Sequence, residues 1–81
     1  MKIEVLGTGC AKCSKLFDEV RLALAASGVE AELSKVEKID DIVSYGVAIT
    51  PALVIDGEVK SAGKVPKAGD IVAWIKAAAG A

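Results

Sequence analysis

The segment GTGCAKC, residues 7–13, is the stretch of this chain that decides its fold and its chemistry. It contains both cysteines of the 81-residue sequence, Cys10 and Cys13. Two cysteines are too few for a secreted disulfide scaffold, and a close pair in the cytosol is usually redox-active or metal-binding. No other motif in the chain has comparable reactivity, so the functional question is what this pair does.

The first half of the chain predicts a β-α-β unit around the cysteine segment. Residues 2–6 predict a short central strand that ends at a glycine turn. From residue 13 to residue 26 the apolar side chains recur at helical spacing, and Ser27-Gly28 is a good helix stop. Residues 29–36 alternate between apolar and polar, which predicts a second, parallel strand at an edge of the sheet.

The second half predicts a short helix followed by a β-hairpin. Residues 39–45 form the helix, with two aspartates in its first turn, where the helix dipole favours them. Pro51 opens an apolar run at 52–55 that suits a buried strand. Asp56-Gly57 is a strong signal for a two-residue hairpin, so residues 58–62 should return as an exposed strand.

A last helix is predicted from about residue 68 to residue 79. Four apolar side chains should face inward from it: Ile71, Val72, Trp74 and Ile75. The complete order is β-α-β-α-β-β-α, an α/β fold with a four-stranded mixed sheet flanked by three helices. No repeat or linker interrupts it, so we expect one domain over residues 1–81.

Charge and hydropathy exclude several classes of function. The formal net charge is −1 with both signs interspersed, which argues against a nucleic-acid surface. No basic run indicates membrane binding, and no apolar run approaches the roughly 20 residues of a transmembrane span. The first residues are too few and too charged for a signal peptide. We therefore expect a cytoplasmic protein that binds neither nucleic acid nor membrane.

The absence of histidine narrows the chemistry further. It excludes a Cys-His nucleophile within the chain and any histidine-ligated metal. It also excludes covalent haem attachment, because Ser14 follows Cys13 where histidine would be needed.

The positions of the two cysteines predict different roles for them. Cys10 falls at or just before the first helical turn, where unpaired N–H groups and the helix dipole favour a thiolate. Lys12 and Lys15 add positive potential that would tune this thiolate; Lys12 could equally be merely solvated. Cys13 lies one turn further along and joins the inward-facing stripe. Cys10 is therefore the expected nucleophile and Cys13 the shielded resolving thiol. The alternative is that both cysteines are simply small hydrophobic residues without a chemical role.

The arrangement of motifs resembles the thioredoxin fold. In detail the chain is similar to the small thioredoxin-like, redox-active disulfide proteins of archaea and bacteria, a glutaredoxin-like minimal form of that fold. The resemblance covers nearly the whole chain and rests on these residues: Gly9-Cys10-Ala11-Lys12-Cys13, Tyr45-Gly46-Val47, Thr50-Pro51-Ala52-Leu53-Val54-Ile55-Asp56-Gly57 and Gly63-Lys64-Val65-Pro66.

The resemblance implies an activity and a substrate-binding region. It implies a thiol–disulfide oxidoreductase that reduces protein disulfides through Cys10 and Cys13 without a metal or an organic cofactor. It also implies a monomer that receives its electrons from a thioredoxin-reductase-like donor. It also implies that Pro51 is cis and lies across from the cysteines, and that the backbone of Thr50 pairs with an extended substrate segment. Gly63 either leaves room for that segment or only ends a strand.

The sequence also departs from typical thioredoxins. No tryptophan precedes Cys10. Glu4 is the only carboxylate of the first strand, and no clear counterpart is visible of the buried acid that assists proton transfer in thioredoxins. Tyr45 and Trp74 are expected to be packing residues. Because of these departures, the sequence does not predict the reduction potential or the partner protein. They do not affect the prediction of dithiol chemistry.

Two other classes of function remain possible from the sequence. Two thiolates at this spacing suit Cu(I), as in copper carriers, but those carriers run β-α-β-β-α-β and usually place Met before the first cysteine. A zinc site would require a dimer that shares both cysteine pairs. The third class is a regulatory module that uses the fold without turnover.

Overall fold

The computed structural model describes residues 1–80 and confirms the predicted order of elements. The strands and helices are, in chain order, β1 (Lys2–Leu6), α1 (Ala11–Ser27), β2 (Glu32–Val36), α2 (Ile39–Ser44), β3 (Ala52–Ile55), β4 (Glu58–Ala62) and α3 (Ala68–Ala78).

The four strands form one mixed sheet in the order β2-β1-β3-β4. β1 runs parallel to β2 and antiparallel to β3, and β4 pairs antiparallel with β3. β1 is therefore a central strand, as predicted, and β2 and β4 are the edges. Because β1 runs toward the cysteine segment, the sheet presents that segment at one end.

Both faces of the sheet are covered. Ile3 and Val5 of β1 belong to the larger core, which includes side chains from α1 and α3. Leu6 belongs to a smaller core with Ile42 of α2 and Val47. Since β3 contributes to both cores, all four of its side chains are buried, as the apolar run predicted.

Helix α1 begins where the cysteine segment predicted. It starts at Ala11 with Cys10 as its N-cap residue, which agrees with the prediction that Cys10 lies at or just before the first turn, and it ends at Ser27, followed by Gly28 with φ of 69° as the C-cap. The apolar spacing becomes visible only from residue 13, so the periodicity alone would not have placed the start.

Strand β2 is shorter than predicted and covers only Glu32–Val36. The reason is its partner: β1 begins at Lys2, which lies opposite Glu32, so the preceding residues have no strand to pair with. Val29 and Ala31 still pack against the larger core, which explains their apolar alternation without a ladder.

Helix α2 buries a single side chain, and α3 buries fewer side chains than its sequence indicated. Ile42 is the buried residue of α2, while Ile39 and Val43 are 67% and 62% exposed. In α3, Ile71 and Ile75 are fully buried, whereas Val72 and Trp74 are only partly buried against the larger core. Ile71 and Ile75 are four residues apart, so they lie on the same side of α3, the side that faces α1; Val72 and Trp74 do not.

The hairpin has the predicted two-residue turn. Asp56 and Gly57 both have positive φ, 49° and 81°, which is the pattern of a type I′ turn. The N–H of Lys2 donates a hydrogen bond of 2.8 Å to Asp56 Oδ1, which fastens the turn to the central strand. On the edge strand β4, Lys60 Nζ lies 2.8 Å from Glu58 Oε1.

Residues 1–80 contain no helix that combines the length and the apolar character needed to cross a bilayer.

Candidate active site

Cys10 is held at the N-terminus of α1 by the helix it caps. Its backbone is extended, with φ of −71° and ψ of 166°, and its sulfur accepts a hydrogen bond from the N–H of Cys13 at 3.3 Å. Its carbonyl accepts the first helical bond, from the N–H of Ser14 at 3.1 Å. The side chain is exposed to solvent. The N-cap position is usually occupied by a side chain with an oxygen acceptor, and the helix dipole stabilises a negative charge there; here the group in that position is a sulfur.

Cys13 lies one helical turn further on and is buried. Its side chain is only 6% exposed, and both cysteines are free thiols in the structure. The predicted difference in exposure between the two cysteines is therefore present in the fold.

The same geometry separates the acidities of the two thiols. The pKa of Cys10 is lowered, chiefly because the Cys13 thiol donates a hydrogen bond to its sulfur, and further because the backbone N–H groups of Cys13 and Lys12 point at it. Burial raises the pKa of Cys13, and a negative charge on Cys10 raises it further. Because the thiolate is the reactive form of a cysteine, the lowered pKa makes Cys10 the more reactive of the two thiols.

Gly7 fixes how closely the helix approaches the strand. A Cβ on this residue would collide with Cys13 Sγ and would lie 4.0 Å from Thr50 Cβ. The N–H of Gly7 also donates a hydrogen bond of 2.9 Å to the carbonyl of Val36, so its backbone is anchored to β2. The side chains of Cys13 and Thr50 thus both approach the backbone of Gly7, which has no side chain of its own.

The loop before β3 carries the cis peptide that the resemblance implied, at Thr50–Pro51. Pro51 is buried, and its carbonyl accepts a hydrogen bond of 2.8 Å from the N–H of Gly63. Gly63 has φ of 83°, and a Cβ there would come within 2.8 Å of Ile49 Cγ2. Thr50, Pro51 and Gly63 are therefore neighbours, and Gly63 has a conformational reason to be glycine as well as a possible role in binding.

Lys12 is exposed beside Cys10. Its backbone N–H helps to lower the pKa of Cys10, while its ammonium group is not among the main causes. The role of the Lys12 side chain in tuning the thiolate stays a prediction.

Glu4 is a residue whose environment the sequence did not reveal. It is only 6% exposed on the central strand, and the Tyr45 hydroxyl donates a hydrogen bond of 2.7 Å to its Oε2. This hydrogen bond is the main cause that raises the pKa of Tyr45. The chain does contain a buried acid in its first strand, but Glu4 is not among the groups that chiefly shift the pKa of either thiol. No local pattern could have found the pair, because 41 positions separate its members.

Replacing Tyr45 with phenylalanine should lower the free energy of unfolding by about 1–3 kcal/mol, because it leaves a buried carboxylate without its donor. Urea denaturation would measure the change. The matched control is the double variant Glu4→Met/Tyr45→Phe, which removes both polar groups and should recover most of the loss. A single variant as stable as the parent would show that the hydrogen bond contributes nothing.

Within residues 1–80 no three or more Cys, His, Asp or Glu side chains come together closely enough to hold a metal ion. The sheet is also followed by α3, whereas the copper carriers considered above end on a strand.

A cysteine pair at a helix N-terminus, with a cis-proline loop beside it on a β2-β1-β3-β4 sheet, defines the thiol–disulfide oxidoreductases of thioredoxin fold. Comparison with known proteins agrees with this class. The family model described as "Thioredoxin domain" matches residues 1–76, and the chain belongs to that family.

Two curated archaeal proteins show the same relationship over most of their length. A thioredoxin of Methanothermobacter thermautotrophicus is 39% identical over 71 residues, which cover 88% of this chain and 92% of that protein. A thioredoxin of Methanocaldococcus jannaschii is 32% identical over 74 residues, which cover 91% and 85% of the two chains. Nothing in these comparisons supports the copper-binding alternative.

Proposed function

We propose that this protein reduces disulfides in other proteins by cycling Cys10 and Cys13 between dithiol and disulfide. The observation that carries the proposal is the asymmetry of the pair: an exposed Cys10 whose pKa is lowered, and a buried Cys13 whose pKa is raised, within one helical turn. Such asymmetry suits an order of events in which one thiol attacks first and the other resolves.

The cycle transfers two electrons from the dithiol to the substrate disulfide. The Cys10 thiolate attacks one substrate sulfur, a mixed disulfide forms, and the other substrate sulfur leaves as a thiolate that takes up a proton. Cys13 then loses its proton and attacks Cys10 Sγ. The second substrate thiolate leaves, and the Cys10–Cys13 disulfide remains.

The substrate would bind as an extended segment beside Thr50, Pro51 and Gly63. Support for this position comes from Gly7, because the place a Cβ would occupy on it is close to both Cys13 and Thr50. A segment paired with the Thr50 backbone would hold its disulfide near the cysteine pair by strand addition.

The remaining features of the proposal concern the protein's working context. The reactive group is the cysteine pair itself, so no metal or organic cofactor is required. Electrons would come from a thioredoxin-reductase-like donor in the cytoplasm, where the glutathione and thioredoxin systems keep thiols reduced. We further propose that residues 1–81 act as one domain and as a monomer.

The reduction potential of the Cys10–Cys13 pair tests this proposal directly. The protein would be equilibrated in redox buffers of stepped potential, its thiols trapped by alkylation, and its mass measured. We expect a single two-electron transition near or below about −250 mV, the range of protein-disulfide reductants. A pair that forms no intramolecular disulfide at any potential would overturn the proposed function.

A further inference from the structure

Four exposed lysines lie along one side of the cysteine pair, and we call them the lysine arc. They are Lys12 and Lys15 in the first turns of α1, and Lys64 and Lys67 in the loop between β4 and α3. Lys12 is two residues beyond Cys10. Lys15 follows it at a spacing of three residues, so both lie on the same side of α1.

The packing of the β4–α3 loop against α1 joins the two halves of the arc. Lys15 and Lys67 border one shallow cleft between α1 and the start of α3, and Lys64 and Lys67 border the next one. Lys64 directly follows Gly63, whose N–H donates a hydrogen bond to the carbonyl of Pro51. The arc therefore runs from the N-terminus of α1 to the cis-proline loop, the two parts of the proposed substrate site.

The charge of the arc is not cancelled by ion pairs. Within residues 1–80 the ion pairs join Arg21 with Asp18 and Lys60 with Glu58. None of the four arc lysines belongs to either pair. Glu19 and Asp70 border the two clefts and offset part of the positive charge. Because the whole chain has a net charge of −1, four positive charges gathered on one side leave the rest of the molecule net negative.

The composition of the two clefts favours a protein as the partner. Between the lysines the clefts are lined by Val65, Pro66 and the half-buried Trp74. Apolar and aromatic side chains beside charged ones are typical of a protein interface. Phosphates of a nucleic acid would be repelled by the two carboxylates in the same clefts, Glu19 and Asp70. Single carboxylates on a partner protein can instead pair with individual lysines.

We propose that the lysine arc selects protein substrates that carry acidic residues close to their disulfide. A substrate segment beside Thr50 and Pro51 would bring its neighbouring side chains within reach of Lys64, because Lys64 follows Gly63 directly. Attraction between opposite charges raises the local concentration of such substrates and their rate of association, while the exchange of sulfur bonds is unchanged. This inference rests on the proposed dithiol cycle and specifies its substrate class.

The test compares two synthetic peptides of equal length, each with one cysteine activated as a mixed disulfide with 2-thiopyridine. Glutamates flank the cysteine in one peptide, and lysines flank it in the other. Attack by Cys10 of the reduced protein releases 2-thiopyridone, and rapid mixing measures the rate constant. Each value is divided by that of 2-mercaptoethanol with the same peptide, which removes the effect of the flanking charges on any thiolate.

We expect the parent protein to prefer the glutamate peptide by about tenfold at low ionic strength, as attraction to a charged site can raise association rates by this order. The preference should nearly vanish in 1 M salt, because the screening length falls from about 30 Å at 0.01 M to about 3 Å. Equal corrected rates for both peptides at low salt would overturn the inference. A parent protein that reacts with neither peptide would refute the dithiol cycle itself.

Two double variants of equal net charge locate the effect. Lys64→Gln/Lys67→Gln removes half of the arc without touching α1, and the preference should fall to about threefold or less. Lys2→Gln/Lys76→Gln is the matched control, because Lys2 begins β1 and Lys76 lies in the last turn of α3, at the end of the molecule opposite the cysteines. The control should keep the preference of the parent. Equal preferences in the two variants would overturn the inference.

Discussion

Replacing Cys10 with serine should abolish disulfide reduction and leave only the background rate of the reductant. A serine hydroxyl is not ionised near neutral pH and is a poor nucleophile toward sulfur. Cys13 cannot substitute for Cys10, because it is buried and its pKa is raised. Reduction of a protein disulfide such as that of insulin, followed by turbidity, would measure the effect. A Cys10→Ser variant with full activity would show that the wrong thiol has been assigned to attack.

Replacing Cys13 with serine should stop the cycle at a different point. Cys10 still attacks, so the variant should accumulate a covalent complex with its substrate that is visible on a non-reducing gel and is released by a small-molecule thiol. The Cys10→Ser variant is the matched control and should form no such complex. Equal trapping by both variants would contradict the division of roles between the two cysteines.

Adding one methyl group at Gly7 should disturb both stability and catalysis. In Gly7→Ala the new Cβ collides with Cys13 Sγ, and the backbone cannot easily retreat because its N–H is bonded to Val36. Overpacking of this kind typically costs about 1–3 kcal/mol of unfolding free energy. We also expect the resolving step to slow, because Cys13 must move away from its position beside Cys10.

The matched control for this variant is Gly69→Ala in helix α3. A Cβ on Gly69 meets no atom within 4 Å, and alanine is the better helix former, so stability should stay the same or rise by up to about 1 kcal/mol. Urea denaturation would measure the stability of both variants. Rapid mixing of the reduced proteins with 5,5′-dithiobis(2-nitrobenzoate) would measure the two thiol steps, because the first chromophore is released when Cys10 attacks and the second when Cys13 resolves the mixed disulfide. If Gly7→Ala matched Gly69→Ala in both assays, the close approach of Gly7 to Cys13 would not matter.

The sequence predicted the parts of this fold that depend on local chemistry. The cysteine segment, the Asp56-Gly57 turn and the apolar run of β3 each have a short-range physical signature, so their elements were placed correctly. The cis state of Pro51 was an implication of the resemblance, because a proline alone does not specify its isomer. The different exposure of Cys10 and Cys13 followed from their positions, since Cys10 lies at the helix N-terminus and Cys13 belongs to the inward-facing apolar stripe.

The features that the sequence did not predict depend on contacts between distant parts of the chain. Glu4 appeared to be an ordinary polar residue of a strand, because its partner Tyr45 lies at the end of another element. The true start of β2 likewise depended on where β1 begins. In each case the deciding information is the register of the sheet rather than the pattern of the segment.

The two edge strands have a consequence for how this protein behaves at high concentration. An open sheet offers unpaired N–H and C=O groups along its outer strands, which can template fibre-like association. Here β2 and β4 are only five residues long, and each carries a lysine and a glutamate: Lys35 with Glu32, and Lys60 with Glu58. Docking a second sheet against either edge would take these charges out of water. These short, charged edge strands therefore disfavour edge-to-edge polymerisation of this small protein.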